Sequence, residues 1–297
     1  MQTRLIRYFL AVEREGHFGR AAQACNVSQP TLSSGIAALE AQLGRRLIHR
    51  DHKFTGLTGE GQAVLPWARQ MLAALDGMTQ ATQSIQGPLR GEARLGIIPA
   101  AMPFVGKLVE ALIARHGDVR VSVRALTSRQ IERDLAAFEL DAGLTYLDFE
   151  PPAHVLRVPL YTEHYMLAVA AQTSLAMRDE IAWDEAASLP LCLLHQGMQN
   201  RRILDAKLSR RGLALQPVVT ADSYVALLAL VQQRRLCSII PDSHVPLLSG
   251  SDWLRLIPLT PPDEGSQIGL VVSDRAPLGQ MAEAILAVSR SIASEVD

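Results

Sequence analysis

The chain has 297 residues, 48% hydrophobic, 20% charged and 5% aromatic. At ~100 to 200 residues per domain this size calls for two or three compact units, and the composition excludes a disordered or fibrous chain. No apolar stretch approaches the ~20 residues of a membrane helix, and the first residues run into an amphipathic pattern without a signal-peptide core. Three widely spaced cysteines, Cys25, Cys192 and Cys237, suggest neither a disulfide framework nor a zinc site. A cytoplasmic protein with reduced, buried thiols and no cofactor or membrane partner is expected.

The net charge of −1 conceals a split. Residues 1–90 carry ten Arg and Lys against six Asp and Glu, and the remainder nineteen against twenty-four. The leading segment therefore suits a polyanion, with His17, His49 and His52 adding partial charge, while the remainder would avoid one.

Leu5, Phe9 and Val12 recur at helical spacing until Gly16 stops the run. A short Ala-rich helix over 18–25 follows, then a turn at Asn26 and Val27. Ser28 is placed to cap a third helix, and Pro30 is tolerated in its first turn, where an N–H has no helical partner. Leu32, Ile36, Leu39 and Leu43 form the buried stripe of that helix, which Gly44 ends. Gln29, Thr31, Ser34 and Ala38 then face outward. Small outward residues let a helix enter a major groove, where Gln29 addresses adenine and Thr31 or Ser34 reaches base edges. Helix, turn and capped helix have the form of a helix-turn-helix; a generic helical hairpin with a solvated face fits the same pattern.

Residues 45–58 are basic and alternate around a turn, as a β-hairpin wing does. Arg45, Arg46, Arg50 and Lys53 are suited to clamp phosphates without reading sequence. The order FGRAAQACNVSQPTLS at 18–33, IAALE at 36–40, LG at 43–44, LIHR at 47–50 and LTGEG at 57–61 resembles the winged helix-turn-helix signature of LysR-type transcriptional regulators. The resemblance assigns double-stranded DNA to Ser28, Gln29, Pro30, Thr31, Ser33 and Ser34 and to the wing cations. Members often carry larger polar residues where Ser34, Gly35 and Ala37 stand, which leaves the wing more of the phosphate contact. Gly35 costs roughly 1 kcal/mol of helix propensity; it either admits a close backbone approach or is a tolerated defect.

From 59 to about 86 a linker helix is expected. Val64, Ala68, Met71, Leu75, Met78, Thr82 and Ile85 alternate spacings of four and three, an a/d seam for a second copy. The family likeness implies a homodimer or homotetramer through residues 59–87, reading an interrupted palindrome, with RNA polymerase as a further partner.

Beyond Gly87 short aliphatic strands alternate with helices. Strands at 94–98, 120–126 and 142–145 with helices at 104–116 and 128–139 form a βαβαβ unit. A second set follows between 165 and 240, with a closing strand at 267–272 and helix at 278–294. Two Rossmann-like subdomains, 90–161 with 267–297 and 162–266, make a periplasmic-binding-protein-like effector domain over 90–297, as the family likeness also implies. Ligands of open sheets sit where strand ends meet helix starts, which points to Pro99, Ala100, Ala101 and Met102, to Ser128, Thr145, His195, Gln196, Arg201 and Asp222. Thr127 with Gln130 matches a capping box, so Ser128 is the better contact. A small, anionic effector is expected. The runs 2–29 and 138–148 are also similar to regulators found beside formate dehydrogenase genes, which implies formate or another carboxylate.

Cys192 and Cys237 raise a redox-sensing alternative, although both lie in apolar runs suited to structural thiols. An enzyme or a transporter's solute-binding protein is the rival class, since the same clamshell hosts both. The chain lacks G-x-S-x-G, G-x-G-x-x-G, P-loop and H-E-x-x-H patterns, and either rival leaves the basic wing without a purpose.

Overall fold

The computed structural model describes residues 2–51, 53–84 and 88–294. They divide into two compact units, one running to Pro88 and including Ala136–Glu139, the other comprising the rest from Leu89 onward.

In the first unit, α1 (Thr3–Glu15) buries Leu5, Ile6, Phe9 and Val12 and ends at Gly16, whose φ of 58° returns its N–H to Val12. The second helix, α2 (Phe18–Ala24), is capped by an imidazole: His17 Nδ1 accepts the N–H groups of Gly19 at 3.0 Å and Arg20 at 3.4 Å. In α3 (Gln29–Leu43) Ser28 supplies the cap and Gly44, at φ 66°, the stop. Leu32, Ile36 and Leu39 are buried as the spacing predicts, whereas Leu43 is 39% exposed. A Cβ on Gly35 would lie 2.5 Å from Tyr8 Cδ2, so the missing side chain is what lets the α1 ring lie against α3. The close approach, not a tolerated defect, accounts for this glycine.

The wing consists of β1 (Ile48–Asp51) and β2 (Lys53–Leu57), paired antiparallel. The linker helix α4 (Gly59–Ser84) is 26 residues long, ~39 Å at 1.5 Å per residue. Thr58 starts it, its Oγ1 accepting the Gly61 N–H at 3.0 Å and donating to the Arg46 carbonyl at 2.6 Å.

The second unit opens with β3 (Gly91–Ile97), a 3-10 turn (Pro99–Phe104), α5 (Val105–Arg115), β4 (Val119–Ala125), α6 (Ser128–Ala136), β5 (Ala142–Tyr146) and β6 (Val155–Glu163). The chain then builds a second layer from β7 (Tyr165–Ala170), β8 (Ile181–Ala182), α7 (Trp183–Ser188), β9 (Cys192–Leu194), α8 (Gln199–Arg210), β10 (Val219–Ala221), α9 (Tyr224–Gln232), β11 (Ser238–Pro241), α10 (Val245–Leu248) and β12 (Leu254–Thr260). It returns through β13 (Ser266–Ser273) and α11 (Gln280–Ala293). The first sheet has the order β4-β3-β5-β13-β6, the second β11-β7-β12-β8, with β9 and β10 as a parallel pair beside it. In the first sheet β3, β4 and β5 are parallel, as βαβ crossovers require, and β13 runs antiparallel to both its neighbours.

Three strands, β6, β8 and β12, have no counterpart in the sequence reading; β8 is only two residues long. Pro159 makes 155–163 look like a connector, yet β6 pairs only with β13 and is an edge strand, where a missing N–H costs little. Pro258 hides β12 in the same way: it is registered against Met166 of β7, while the pairing with β8 involves only Leu259 and Thr260. The chain therefore crosses between the two layers twice, at His164 and over 261–265.

Candidate nucleic-acid interface and effector cleft

On α3, Gln29, Pro30, Thr31 and Ser34 are exposed and Ser33 is half-buried. Three hydroxyls have local duties. Ser28 Oγ takes the Thr31 N–H at 3.3 Å and shares a 2.8 Å hydrogen bond with Thr31 Oγ1, while Ser34 Oγ donates to the Thr31 carbonyl at 3.0 Å. Arg45 and Arg46 are exposed at the base of the wing. The side chains of Arg50 and Lys53, like His52, lie outside the described residues. Glu40, on the inner side of α3, fastens the wing: its Oε1 accepts the backbone N–H groups of Leu47 at 2.9 Å and Ile48 at 3.2 Å. Helix α3 and the hairpin are thereby held in one piece.

The linker seam divides. Ala68 is buried, and Val64 is half-buried against the core of the same unit, whereas Met71 is 39% and Met78 68% exposed. Trp67, outside the expected seam, is 71% exposed. Thr82 and Ile85 fall outside the described side chains.

In the second unit a small cleft lies where the first turns of α6 and α8 face the 3-10 turn. Its apolar wall is Ile98, Pro99, Ala100, Leu194 and Met198; its polar wall is Thr127, Ser128, Tyr146, Gln199 and Asn200. Met198 gives α8 no side-chain cap, so the N–H groups of the first turn and the positive end of the helix dipole are left for whatever enters.

Behind this wall Tyr146 donates to Glu163 Oε1, Asn200 Nδ2 donates to the Tyr146 hydroxyl at 2.6 Å and to Glu163 Oε1 at 3.3 Å, and Tyr165 donates to the Asn200 carbonyl at 3.0 Å. Glu163 is fully buried, and burial pushes its carboxyl up to about 8; the Tyr146 hydrogen bond and Lys207 oppose this, and Asp242 and Asp263 reinforce it. Burial also holds the Tyr146 hydroxyl well above its ordinary value. The floor of the cleft is thus uncharged at neutral pH. Across its rim, Gln199 Nε2 donates to the Phe149 carbonyl at 2.5 Å, and Arg202 forms an ion pair with Glu150 that holds that carboxyl below its usual range.

Residues 3–62 match the family described as bacterial regulatory helix-turn-helix protein, lysR family, and residues 86–293 match the LysR substrate binding domain. The chain belongs to the LysR family of transcriptional regulators. A probable hydrogen peroxide-inducible genes activator of Mycobacterium avium is 36% identical over 90% of this chain and 86% of its own length. The DNA-binding transcriptional dual regulator OxyR of Escherichia coli is 27% identical over 97% and 95%. Among solved structures, a full-length OxyR variant from Pseudomonas aeruginosa has a TM-score of 0.78 at 24% identity, covering 99% of both chains. Full-length CbnR in complex with its target DNA has a TM-score of 0.72 at 21% identity, covering 99% of this chain and 100% of CbnR.

Within this LysR-family clamshell, the effector residues expected from sequence separate into two groups. Pro99, Ala100 and Ser128 line the cleft. Thr127 and Gln130 form the reciprocal box, with Thr127 N–H to Gln130 Oε1 at 2.8 Å and Gln130 N–H to Thr127 Oγ1 at 3.3 Å, which leaves Ser128 as the freer hydroxyl. Ala101 is buried and Met102 half-buried beyond the lining, and Thr145 is fully buried. Arg201 does not face the cleft: its Nε bonds Asp205 at 2.8 Å and its Nη1 the Leu194 carbonyl at 2.9 Å, since an acid four residues on neutralises it in place. His195 and Gln196 are exposed on the loop, His195 Nδ1 accepting the Gly197 N–H. Asp222 is also exposed, and its neighbour Ser223 caps α9.

Sequence reasoning passed over Gln199 and Asn200, although they lie between the indicated Gln196 and Arg201, and missed Tyr146 and Glu163 as a pair. A lone acid inside the apolar run LYTEHYML at 160–167 was the available signal. Cys192 is fully buried with its Sγ donating to the Leu227 and Cys237 carbonyls, and burial raises both thiols, Cys237 to about 11. No helix among the described residues is long and apolar enough to cross a membrane.

Proposed function

We propose that this LysR-family regulator acts in the cytoplasm as a dimer or tetramer joined through α4, reads an interrupted palindrome with Gln29–Ser34 and the wing, and changes its hold on DNA when a small monocarboxylate occupies the cleft. The carrying observation is the uncapped start of α8 in a cleft whose lining holds no cationic side chain. Amide dipoles suit a single negative charge, and a dianion would lack a counter-ion. Formate, implied by the sequence likeness, is the smallest candidate. The exposed Trp67, Met71 and Met78 on α4 support pairing with a second copy, and RNA polymerase is the partner through which bound DNA would be read out. Closure regulates only if the ligand prefers one assembly state over another.

The test uses the full chain on DNA selected by the protein from a random pool. Formate and acetate, but not phosphate, should raise the melting temperature, since a ligand at a hundred times its Kd stabilises by ~2.7 kcal/mol, and should change the footprint. Identical footprints with and without ligand would sink the reading. Retention on DNA should also fall steeply with salt.

The names of the relatives favour a second reading, a response to hydrogen peroxide. It has to work against thiols that are buried and kept protonated. Peroxide added to the same footprint reaction, with the chain carrying Cys192→Ser and Cys237→Ser as control, separates the two: a change that the double variant abolishes would favour the thiol reading.

A further inference from the structure

Gln199 lines the cleft and is 5% exposed. Its amide orientation is fixed by its surroundings, because Nε2 lies 2.5 Å from the Phe149 carbonyl and 3.5 Å from that of Glu150; exchanging the two amide atoms would set oxygen against oxygen. The other atom, Oε1, is buried with no donor among the described residues. A buried acceptor left without a donor forfeits the hydrogen bond it would have had in water. Its polar neighbours are already engaged. Asn200 Nδ2 serves Tyr146 and Glu163, and the Tyr146 hydroxyl both accepts from Asn200 and donates to Glu163.

Beside this acceptor stand donors of the opposite need. The first intrahelical bond of α8 runs from the Arg202 N–H to the Met198 carbonyl, so the N–H groups of Gln199, Asn200 and Arg201 precede the helical ladder and seek an acceptor. An occupant that satisfies both sides presents acceptor oxygens to the helix start and a donor to Gln199 Oε1. A simple carboxylate has only acceptors and would leave Oε1 unpaired, or set its own lone pairs against it.

We infer that the effector is a carboxylate carrying a hydroxyl close to the carboxyl group, a small hydroxy acid, and that Gln199 is the residue selecting for the hydroxyl. This rests on the reading of the cleft as a carboxylate site and narrows it. The carboxylate sits on the α8 amides, the hydroxyl donates to Oε1, and Ser128, at the start of α6 across the cleft, offers a second polar contact to the same molecule.

Three probes of increasing information test it on the full-length protein by calorimetric titration and thermal shift: acetate, glycolate and methoxyacetate. Glycolate adds a hydroxyl to acetate, and methoxyacetate keeps that oxygen while removing its proton. The expected result is glycolate binding at least ~10-fold tighter than acetate, as one hydrogen bond to a buried, otherwise unpaired group implies, with methoxyacetate no better than acetate. Gln199→Met, which keeps the length and removes the acceptor, should bring glycolate to the acetate level. Acetate equal to or tighter than glycolate overturns the inference and leaves the carboxylate site standing. Methoxyacetate matching glycolate overturns it as well, since size and not the proton would then be selected. A glycolate preference that survives Gln199→Met removes Gln199 from the role. No binding of any probe to 50 mM, about the weakest affinity worth reading on this scale, overturns both the inference and the carboxylate reading. The comparison of probes on the unmodified chain decides the ligand class even if the variant does not fold.

Discussion

Glu163→Gln should abolish a fall in stability that the unmodified protein shows as pH rises toward 8. The Glu163 carboxyl titrates at about 8 in the folded chain against 4.5 for a free glutamate. Between these values the native state holds one proton more than the unfolded state, so stability declines with rising pH by up to ~1.4 kcal/mol per unit and levels off above about 8. Burial is the main cause. The groups facing Glu163 are Tyr146 on β5, Tyr161 on β6, Tyr165 on β7, Lys207 on α8, Tyr224 on α9, and Asp242 and Asp263 on the adjoining segments. Glutamine retains an acceptor for Tyr146 and Asn200 without a group to ionise, so the variant should gain on the parent from pH 6.5 to 8, by up to ~1.4 kcal/mol per unit. His244 runs the other way: burial lowers it to about 4, so its contribution is present above 6.5 and lost as pH falls toward 4. It is common to both proteins and cancels in their difference. Chemical denaturation of both at half-unit steps of pH checks this; parallel curves would mean that Glu163 is already ionised in the native state.

Glu40→Ala should release the wing. The amides of Leu47 and Ile48, residues 0% and 1% exposed, both end on Glu40 Oε1. Leaving two buried donors unpaired costs about 1 to 3 kcal/mol each, a large share of the ~5 to 15 kcal/mol that holds a typical domain together. Affinity for DNA should drop by ~10-fold or more, with a shallower salt dependence, because the phosphate contacts proposed for Arg45 and Arg46 would be lost along with the hairpin's placement. Glu40→Gln keeps an acceptor oxygen and should retain most of the affinity. Equal losses in the two variants would point to the charge of Glu40, and no loss in either would show that the hairpin is held by its apolar contacts alone.

The head was legible because its signals are local. Ser28 and Gly44 bound α3 by chemistry that acts over three or four residues, and the stripe Leu32, Ile36 and Leu39 needs only helical period. His17 as a cap escaped notice since imidazole is an uncommon substitute for a hydroxyl or carboxylate there. The reason for Gly35 needed Tyr8, twenty-seven residues away in sequence. In the clamshell the alternation of strands and helices was readable, but β6 and β12 carry proline and lose it as a signal. The cleft was readable to the level of loops and helix starts, but which residues line it was legible only in part, Pro99, Ala100 and Ser128 among them, for a physical reason. Arg201 is the strongest anion ligand by type, yet whether an arginine faces a cleft or a neighbouring acid depends on Asp205 and the Leu194 carbonyl. Gln199 has no such chemical prominence, and only the assembled wall shows its oxygen without a partner.

The two crossings between the layers differ in sequence position by about a hundred residues, yet they are tied to one another. Asp263 accepts the Tyr165 N–H at 3.3 Å and the Gly265 N–H at 3.2 Å and is paired with Lys207, while the His164 N–H reaches Asp242 at 3.0 Å. One tether would let the second layer swivel in any direction about the first. Two tethers side by side leave a single axis, so the layers can approach and part but not twist. An occupant of the cleft would thereby be expressed as an angle, a quantity that a second copy of the chain could be built to measure.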